Sequence, residues 1–308
     1  MTYSADRRSF LRTVIAGAMA TSLARMPAAR AAGSAPLAAQ SLDPNLWLFS
    51  GAGCNVVAHR DDAGIALVDG GLVAHSKDLL KLVEQTTGSG KIHTLFNTHW
   101  HPEQTGSNER LAGLATIIAH ENTRLWLGYA NPVPPKNQPY GPLPPKARPD
   151  KTFFYDSVKT QFGDEAVQYG YLPQAHTDGD IYVFFRKSNV LVTGGVVSNE
   201  GWPVIDWKTG GWIDGLTDGV RTLAGLSDDQ TRIIPANGAV MTKADLVAQQ
   251  KMYGDIAGQL QKFLRQSLGP DEVIAKAPAA AYEAKYGDSK VFVDEAFRSL
   301  WGHMAPDA

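Results

Sequence analysis

The chain has 308 residues, of which 44% are hydrophobic and 19% charged, a balance that allows one large α/β domain or two small ones. The net charge of −2 gives no reason to expect nucleic acid or an anionic membrane as a partner. Cys54 is the only cysteine, which excludes an intramolecular disulfide and a thiolate metal cluster. A bound metal would therefore need histidine, carboxylate or amide ligands.

Residues 1–31 have the composition of a secretory signal. The pair Arg7-Arg8 precedes Phe10-Leu11 and a short apolar run, and the segment ends in Ala29-Arg30-Ala31. A charged start, a short apolar stretch and an A-x-A end are typical of a cleaved signal. The arginine pair indicates the twin-arginine export machinery as a partner. We predict a mature protein in the periplasm or outside the cell, without an integral membrane segment.

Short strands and helices alternate over the next hundred residues. Strands are predicted where apolar residues cluster between turn residues, and helices where they recur at helical spacing. In chain order the prediction is strands 46–51, 54–60 and 64–71, helix 75–88, strand 91–99, helix 107–115, strand 116–120 and helix 121–127. Ser107 is the expected N-cap of the second helix, and the run of strands begins at Leu42.

Residues 131–149 contain eight prolines. Such a segment cannot be a helix or a central strand, so we predict a long irregular loop. Loops of this length inside compact domains are usually functional or disordered. We expect a mobile flap beside the functional site that contributes little to stability.

The rest of the chain continues the alternation. The prediction is strands 166–173, 180–186, 189–198 and 231–236, helices 211–226 and 242–268, and two short helices within 270–303. No Gly/Ser-rich linker divides the chain, so we predict a single domain over residues 32–308. Its C-terminal part, 242–303, is a helical segment.

His99 and His101 directly follow a predicted strand. Side chains at i and i+2 of an extended segment point the same way, which lets neighbouring histidines bind one ion. Taken alone, an H-x-H pair is weak evidence, because two polar residues at a strand end explain it equally well.

Six stretches of the sequence, taken together, strengthen the evidence for a metal site at this H-x-H pair. They are "IALVDGG", "NTHWHPEQTG", "IIAHENT", "AHTDGDIYVFF", "VLVTGG" and "RIIPANG", in that order. In order and spacing they resemble the landmarks of the metallo-β-lactamase-fold superfamily over essentially all of the mature chain. The resemblance implies an α/β fold, a four-layer αββα sandwich, with a metal site on loops at one edge of the two sheets.

The resemblance also implies which residues bind metal. His99, His101 and His176 match the three histidines of the family's first metal site. The second site is altered at every position: Glu103 replaces an Asp, Gln104 a His, Gly195 the bridging Asp and Asn237 the late His. The sequence thus predicts one ion per chain in a divergent member of the superfamily.

Three imidazoles leave an open coordination position on a tetrahedral ion, as in hydrolytic zinc sites. A single Zn²⁺ lowers the pKa of its bound water to about 7. Fe²⁺ is the alternative ion. The family's iron-dependent members need the bridging Asp as their carboxylate ligand, however, and Gly195 removes it, so zinc is favoured.

The other histidines are expected to have no metal role. His120 matches a family position at a strand end that does not bind metal. His59, His75 and His93 are expected to be surface or core residues.

Acidic and aromatic residues complete the predicted site. By resemblance, Asp69 supports the metal-binding loop and Asp180 anchors the loop of His176. Asp178 could reach the substrate. The residues expected to shape an apolar substrate pocket are Tyr140, Trp202, Trp207 and Trp212, although each tryptophan could equally cover the edge of the sandwich.

We predict an exported metal-dependent hydrolase of a small ester, lactone or amide, with Glu103 as the general base. One alternative is a non-catalytic ligand-binding pseudoenzyme of the same fold, because four positions of the second site are replaced. The other is a mononuclear iron oxidative enzyme. Retention of all three histidines and of a carboxylate at residue 103 favours the hydrolase.

Overall fold

The computed structural model describes residues 36–155 and 157–304. The signal predicted at 1–31 lies outside these residues. These described residues form one compact unit. Among the described helices, none combines the length and apolar content that crossing a membrane requires.

The described residues form strands and α-helices in an alternating order. The strands are β1 (Ala38–Asp43), β2 (Leu46–Ser50), β3 (Val56–Asp61), β4 (Gly64–Val68), β5 (Ile92–Phe96), β6 (Thr116–His120), β7 (Asn131–Val133), β8 (Gln138–Tyr140), β9 (Lys151–Phe153), β10 (Ser157–Phe162), β11 (Glu165–Tyr171), β12 (Ile181–Phe185), β13 (Val190–Gly194) and β14 (Arg232–Pro235). The α-helices are α1 (Ser76–Thr87), α2 (Pro102–Thr105), α3 (Asn108–Leu111), α4 (Glu121–Trp126), α5 (Ile213–Leu226), α6 (Lys243–Arg265), α7 (Pro270–Ala275), α8 (Glu283–Tyr286) and α9 (Lys290–Met304). Short 3₁₀ helices lie at Pro145–Ala147, Trp207–Thr209 and Ala280–Tyr282.

Two sheets form the centre of the fold. The first has seven strands in the order β1-β2-β3-β4-β5-β6-β9, antiparallel up to β4 and parallel from β4 to β9. The second has five strands in the order β10-β11-β12-β13-β14, in which the β13–β14 pair is parallel. The ribbon of β7 and β8 belongs to neither sheet.

Alternate residues of β12 show how the layers pack. Val183 and Phe185 lie in the core between the two sheets, whereas Tyr182 and Phe184 lie in the core between the second sheet and helices α5, α6 and α9. This period of two follows from the opposite directions of successive side chains in a strand. Helix α1 covers the other face of the first sheet through buried Leu79. The predicted four-layer αββα sandwich is confirmed.

Five strands were absent from the prediction: β7 and β8 of the separate ribbon, and three strands of the two sheets. The structure adds β1, β9 and β10, all at or next to the edges of the sheets. Strand β10 is partly exposed along its length, with no fully buried residue. Edge strands carry fewer apolar side chains than buried ones, so the hydrophobic pattern did not reveal them.

The proline-rich segment contains no α-helix and no central strand, as predicted, but the prediction of a wholly irregular loop is wrong. Strands β7 and β8 pair antiparallel, with Pro132 opposite Pro139. Both strands of an isolated ribbon are edge strands, where proline is tolerated. Leu143 and Ala147 are buried together with Trp100, which ties the segment to the domain.

Two helix predictions also change in detail. Ser107 is at the N-cap of α3 but makes no capping hydrogen bond; its hydroxyl donates to the Gly70 carbonyl at 2.5 Å. Helix α3 is also shorter than the predicted 107–115. The tail contains a 15-residue helix, α9, where two short helices were expected, in addition to α7 and α8.

Candidate metal centre

Loops from both sheets meet at one edge of the sandwich. His99 and His101 follow β5, and His176 lies in the connection between β11 and β12. The Ile181 amide donates to the Thr98 carbonyl at 2.8 Å, which joins the two loops. Residues that are far apart in the sequence therefore become neighbours here.

The three histidines form a cluster with the spacing of a metal site. His176 Nε2 is 3.2 Å from His99 Nε2 and 3.1 Å from His101 Nδ1. One ring nitrogen from each residue lies within 4.8 Å of the others. Tetrahedral Zn–N bonds of about 2.0–2.1 Å place ligand nitrogens roughly 3.3–3.4 Å apart. The cluster therefore fits a single ion.

Burial favours the neutral form of two of the three imidazoles, those of His99 and His176. All three are buried, with exposures of 2% (His99), 5% (His101) and 4% (His176). Burial, with the neighbouring imidazoles, lowers the pKa of His99 well below its usual value and that of His176 to about 3. Neutral imidazoles keep a lone pair for a metal, so the donor set suits a divalent cation.

Each ring has a partner on the nitrogen that faces away from the cluster, and for His99 it is the Thr98 hydroxyl, 3.2 Å from Nδ1. His101 Nε2 is 3.1 Å from Asp206 Oδ2, and His176 Nδ1 is 2.7 Å from the Val204 carbonyl oxygen. Metal-binding histidines typically donate their other N–H to a carboxylate or a backbone carbonyl, which fixes the ring orientation. This arrangement is therefore typical of metal ligands.

Asp206 was not identified from the sequence. It is buried, and its Oδ2 also accepts a hydrogen bond from Thr209 Oγ1 at 2.6 Å. Burial is the largest single influence and opposes ionisation, but the hydrogen bonds from His101 and Thr209, with the charge interactions of His101 and His176, together lower the pKa of Asp206. The sequence feature that could have identified it is an acid placed between two apolar residues, Ile205 and Trp207. Such an acid is expected to be buried, and buried acids usually have a specific partner.

Two further buried acids hold the histidine loops. Asp69 Oδ1 accepts from the Thr98 amide at 2.8 Å, and Asp69 Oδ2 accepts from the Thr98 hydroxyl at 2.9 Å. Asp180 Oδ2 accepts from the Thr177 amide at 2.7 Å. Thr98 precedes His99 and Thr177 follows His176, so both acids make the supporting contacts that the resemblance implied. Burial raises the pKa of Asp69 to about 8.

The place of a side chain at residue 195, the family's bridging position, is filled. A Cβ atom on Gly195 would lie 2.3 Å from His176 Cδ2 and 2.7 Å from His176 Nε2, far inside van der Waals contact. The His176 ring therefore occupies the place that a side chain at residue 195 would need. Asn237 is exposed. Across residues 36–155 and 157–304, no second group of three His, Cys, Asp or Glu lies close enough to share an ion.

His101, His176 and Glu103 open on one cavity of about 210 Å³. Its apolar lining includes Val133, Pro134, Pro135, Val197 and Trp202. Its charged lining consists of Glu103 and Glu200, and no described lysine or arginine lines it. The Cys54 thiol donates to the Glu103 carbonyl at 2.9 Å and so ties α2 to the loop before β3.

Of the four aromatic pocket residues predicted, Trp202 lines this cavity. Tyr140 lies outside its lining, with its hydroxyl 2.7 Å from Thr105 Oγ1. Trp207 is partly exposed and lines a different cavity, and Trp212 stacks on His303.

Asp178 also lies outside the lining of the cavity at the histidines. Its Oδ1 accepts a hydrogen bond from Trp126 Nε1 at 2.6 Å. Burial raises its pKa to about 6. The Asp178 side chain therefore contacts α4 and not the cavity wall.

His120 has both ring nitrogens engaged elsewhere. Nε2 is 2.8 Å from the Phe154 carbonyl, Nδ1 accepts from the Asn122 amide at 3.2 Å, and the ring stacks on Tyr171. His120 is thus absent from the metal cluster, as are His59, His75 and His93.

Comparison with known proteins places this geometry in a family. The model of the metallo-beta-lactamase superfamily matches residues 50–235, whereas no match was found among curated protein sequences. A metallo-beta-lactamase from Pontibacter korlensis is 13% identical, with a TM-score of 0.58 over 71% of this chain and 100% of that one. One from Hirschia baltica is 15% identical, with a TM-score of 0.56 over 71% and 98%.

A longer protein is similar over more of the chain. The stereoselective inverting sec-alkylsulfatase of Pseudomonas sp. is 14% identical, with a TM-score of 0.66. The similarity covers 88% of this chain and 51% of that one. Because the family model covers more than half of the sequence, the chain belongs to the metallo-beta-lactamase superfamily.

Proposed function

We propose that this protein is an exported hydrolase that uses a single zinc ion to cleave a small ester, lactone or amide. One observation carries the proposal: two of the three clustered histidines and Glu103 line the same small cavity. Membership of a superfamily made up mostly of metallohydrolases supports a hydrolytic reaction.

When bound to the three histidines, a divalent ion lowers the pKa of a water molecule to about 7 and polarises a substrate carbonyl. The Val204 carbonyl and the Asp206 carboxylate keep the rings of His176 and His101 in the ligating orientation. Glu103 accepts the proton of the attacking water. Trp202 forms part of the apolar wall that orients the substrate.

The contact between Gly195 and His176 supports a single ion. Residue 195 carries no carboxylate, and a larger side chain there would collide with the His176 ring. The same feature favours zinc over Fe²⁺, because a two-histidine, one-carboxylate site needs a carboxylate ligand. Three histidines with an open position are typical of catalytic zinc.

The cavity favours a small substrate without an anionic group. Its volume of about 210 Å³ is below the roughly 300–1,000 Å³ of sites for drug-sized ligands. Anionic substrates would meet Glu103 and Glu200, with no lysine or arginine in the described lining. We therefore expect slow turnover of β-lactams and of secondary alkyl sulfates, the substrates named for the similar structures.

Metal analysis together with a substrate panel tests the proposal. Protein purified without chelator or nickel affinity should contain close to one zinc per chain. A short-chain aryl ester, a lactone and a small amide should be tested beside a β-lactam and a secondary alkyl sulfate. Hydrolysis should disappear with a chelator and return when zinc is added.

Three outcomes would contradict the proposal. Two tightly bound ions per chain would show a working second site. Bound metal with no turnover of any substrate would favour a non-catalytic binder. Bound iron with substrate-dependent oxygen consumption would favour an oxidative enzyme.

A further inference from the structure

The backbone between β13 and the 3₁₀ helix at Trp207–Thr209 supports two of the three histidines. The Val204 carbonyl accepts from His176 Nδ1 at 2.7 Å, and the Asp206 carboxylate accepts from His101 Nε2 at 3.1 Å. The Asp206 amide also donates to the His176 carbonyl at 2.9 Å. The position of this short segment therefore sets the direction of both rings.

No secondary structure holds this segment in place. Residues 202–206 belong to no helix or strand, so their backbone groups need partners from elsewhere in the fold. The amide of Ile205, a fully buried residue, donates to Glu295 Oε2 at 3.1 Å. The residue that lies between Val204 and Asp206 is thus fixed by a side chain from α9.

Helix α9 contacts the region at two further points. Phe292 stacks on Trp202 with ring centroids 4.7 Å apart, and Ser299 Oγ accepts from the Ile213 amide at 3.3 Å. Phe292, Glu295 and Ser299 are spaced three and four residues apart, which places them on one face of the helix. The helix lies beyond residues 50–235, the part matched by the family model.

Burying a carboxyl group at residue 295 carries a desolvation cost. Glu295 is only 8% exposed, and burial raises its pKa to about 7. Within the described residues, the Glu295 side chain accepts a single hydrogen bond, from the Ile205 amide. An apolar residue would fill the same space without the desolvation cost, so the hydrogen bond is the feature that distinguishes glutamate here.

We propose that Glu295 is a positioning residue for the metal centre. By accepting the Ile205 N–H, it holds Val204 and Asp206 where they orient His176 and His101. The inference rests on the proposed metal-binding role of the histidines. It extends that role to the C-terminal helix, which becomes part of the metal site.

Two variants distinguish the effect of the length of the Glu295 side chain from the effect of its charge. Glu295→Gln keeps an acceptor oxygen at the same distance but removes the charge, whereas Glu295→Asp keeps the charge but is one methylene too short to reach Ile205. Zinc dissociation constants, measured by competition with a chromophoric chelator, should rise about 10–100-fold in Glu295→Asp. They should stay close to wild type in Glu295→Gln.

Asp294→Asn is the matched control. Asp294 lies one residue away on α9 and pairs with Arg298 at the surface, so its loss should not change zinc affinity. Thermal unfolding of the metal-free proteins should show that each variant is folded. Should Glu295→Asp fail to fold, Glu295→Met makes the same prediction, because it fills the space without an acceptor.

The outcomes distinguish this inference from the proposed function. Wild-type zinc affinity in folded Glu295→Asp and Glu295→Met would overturn the inference. So would a loss in Glu295→Gln but not in Glu295→Asp, because charge and not reach would then matter. A wild-type protein that binds no zinc would instead overturn the proposed metal site, and the positioning role with it.

Discussion

Glu103 is the residue on which the proposed chemistry depends most directly. It lies in the first turn of α2, two positions after His101, and lines the cavity. Within the described residues its carboxylate accepts no hydrogen bond that would commit it to bracing the loop. We expect Glu103→Gln to lower kcat by about 10²–10⁴, because the amide keeps the shape but cannot take a proton. Steady-state kinetics with parallel metal analysis would measure this.

Glu200→Gln is the control for Glu103→Gln, since Glu200 is the other carboxylate of the cavity and is exposed. It should change kcat far less. Metal content should be near wild type in both variants. Retained turnover in Glu103→Gln, or loss of metal together with activity, would assign Glu103 a structural role.

Gly195 allows a test of the single-ion site. Gly195→Asp restores the carboxylate of two-metal relatives, yet its Cβ would meet the His176 ring at 2.3 Å. We expect the variant to lose metal, not to gain a second ion, because His176 must move out of its ligating position. Elemental analysis and activity assays would measure the loss.

Asn237→His is the comparison for Gly195→Asp, because it restores another second-site residue at an exposed position. It should keep close to one zinc per chain. A Gly195→Asp protein with two ions and full activity would show that the His176 ring yields easily and that the steric argument fails.

At the scale of elements, the proline-rich segment has two parts with different roles. Val133, Pro134 and Pro135, at one end of the β7–β8 ribbon, line the metal cavity, whereas Leu143 and Ala147 pack against Trp100. Replacing residues 134–137 with an Asn-Gly turn preserves the pairing of the ribbon. We expect this change to alter KM while the Tm stays close to wild type.

Deleting residues 131–149 should behave differently from the shortened turn. Uncovering Trp100 and removing the buried Leu143 should cost about 3–5 kcal/mol, which lowers the Tm by about 10 °C in a domain of this size. This expectation replaces the one drawn from proline content alone, which predicted little effect on stability. An unchanged Tm after the deletion would support the original view of a separate flap.

At the scale of the whole molecule, export is predicted from a segment that lies outside the described residues. The signal predicted at 1–31 depends on Arg7-Arg8. Changing this pair to Lys-Lys should block export in a host that uses the twin-arginine route, because the pair is what identifies that route. Cell fractionation and immunoblotting would measure it, with normal periplasmic accumulation pointing to another pathway.

The sequence by itself determined the arrangement of layers and the three histidines. Buried strands such as β4 and β12 are nearly continuous apolar runs that end in turn residues, and this local pattern is independent of the rest of the chain. His99 and His101 follow one such strand, and His176 lies in a collinear motif. Local periodicity was sufficient for these strands, and the resemblance of the ordered motifs to a known superfamily implied the layers and the three histidines.

Only the tertiary structure decided how the site is supported and bounded. Asp206 reaches His101 across 105 residues, and Glu295 reaches Ile205 across 90. Trp202 lines the cavity beside the histidines, whereas Tyr140 and Trp207 do not. No local pattern encodes such contacts, because they arise when distant segments pack together. The steric conflict at Gly195 is likewise a property of the packed state: the sequence shows a missing carboxylate, and the fold shows that the His176 ring fills its place.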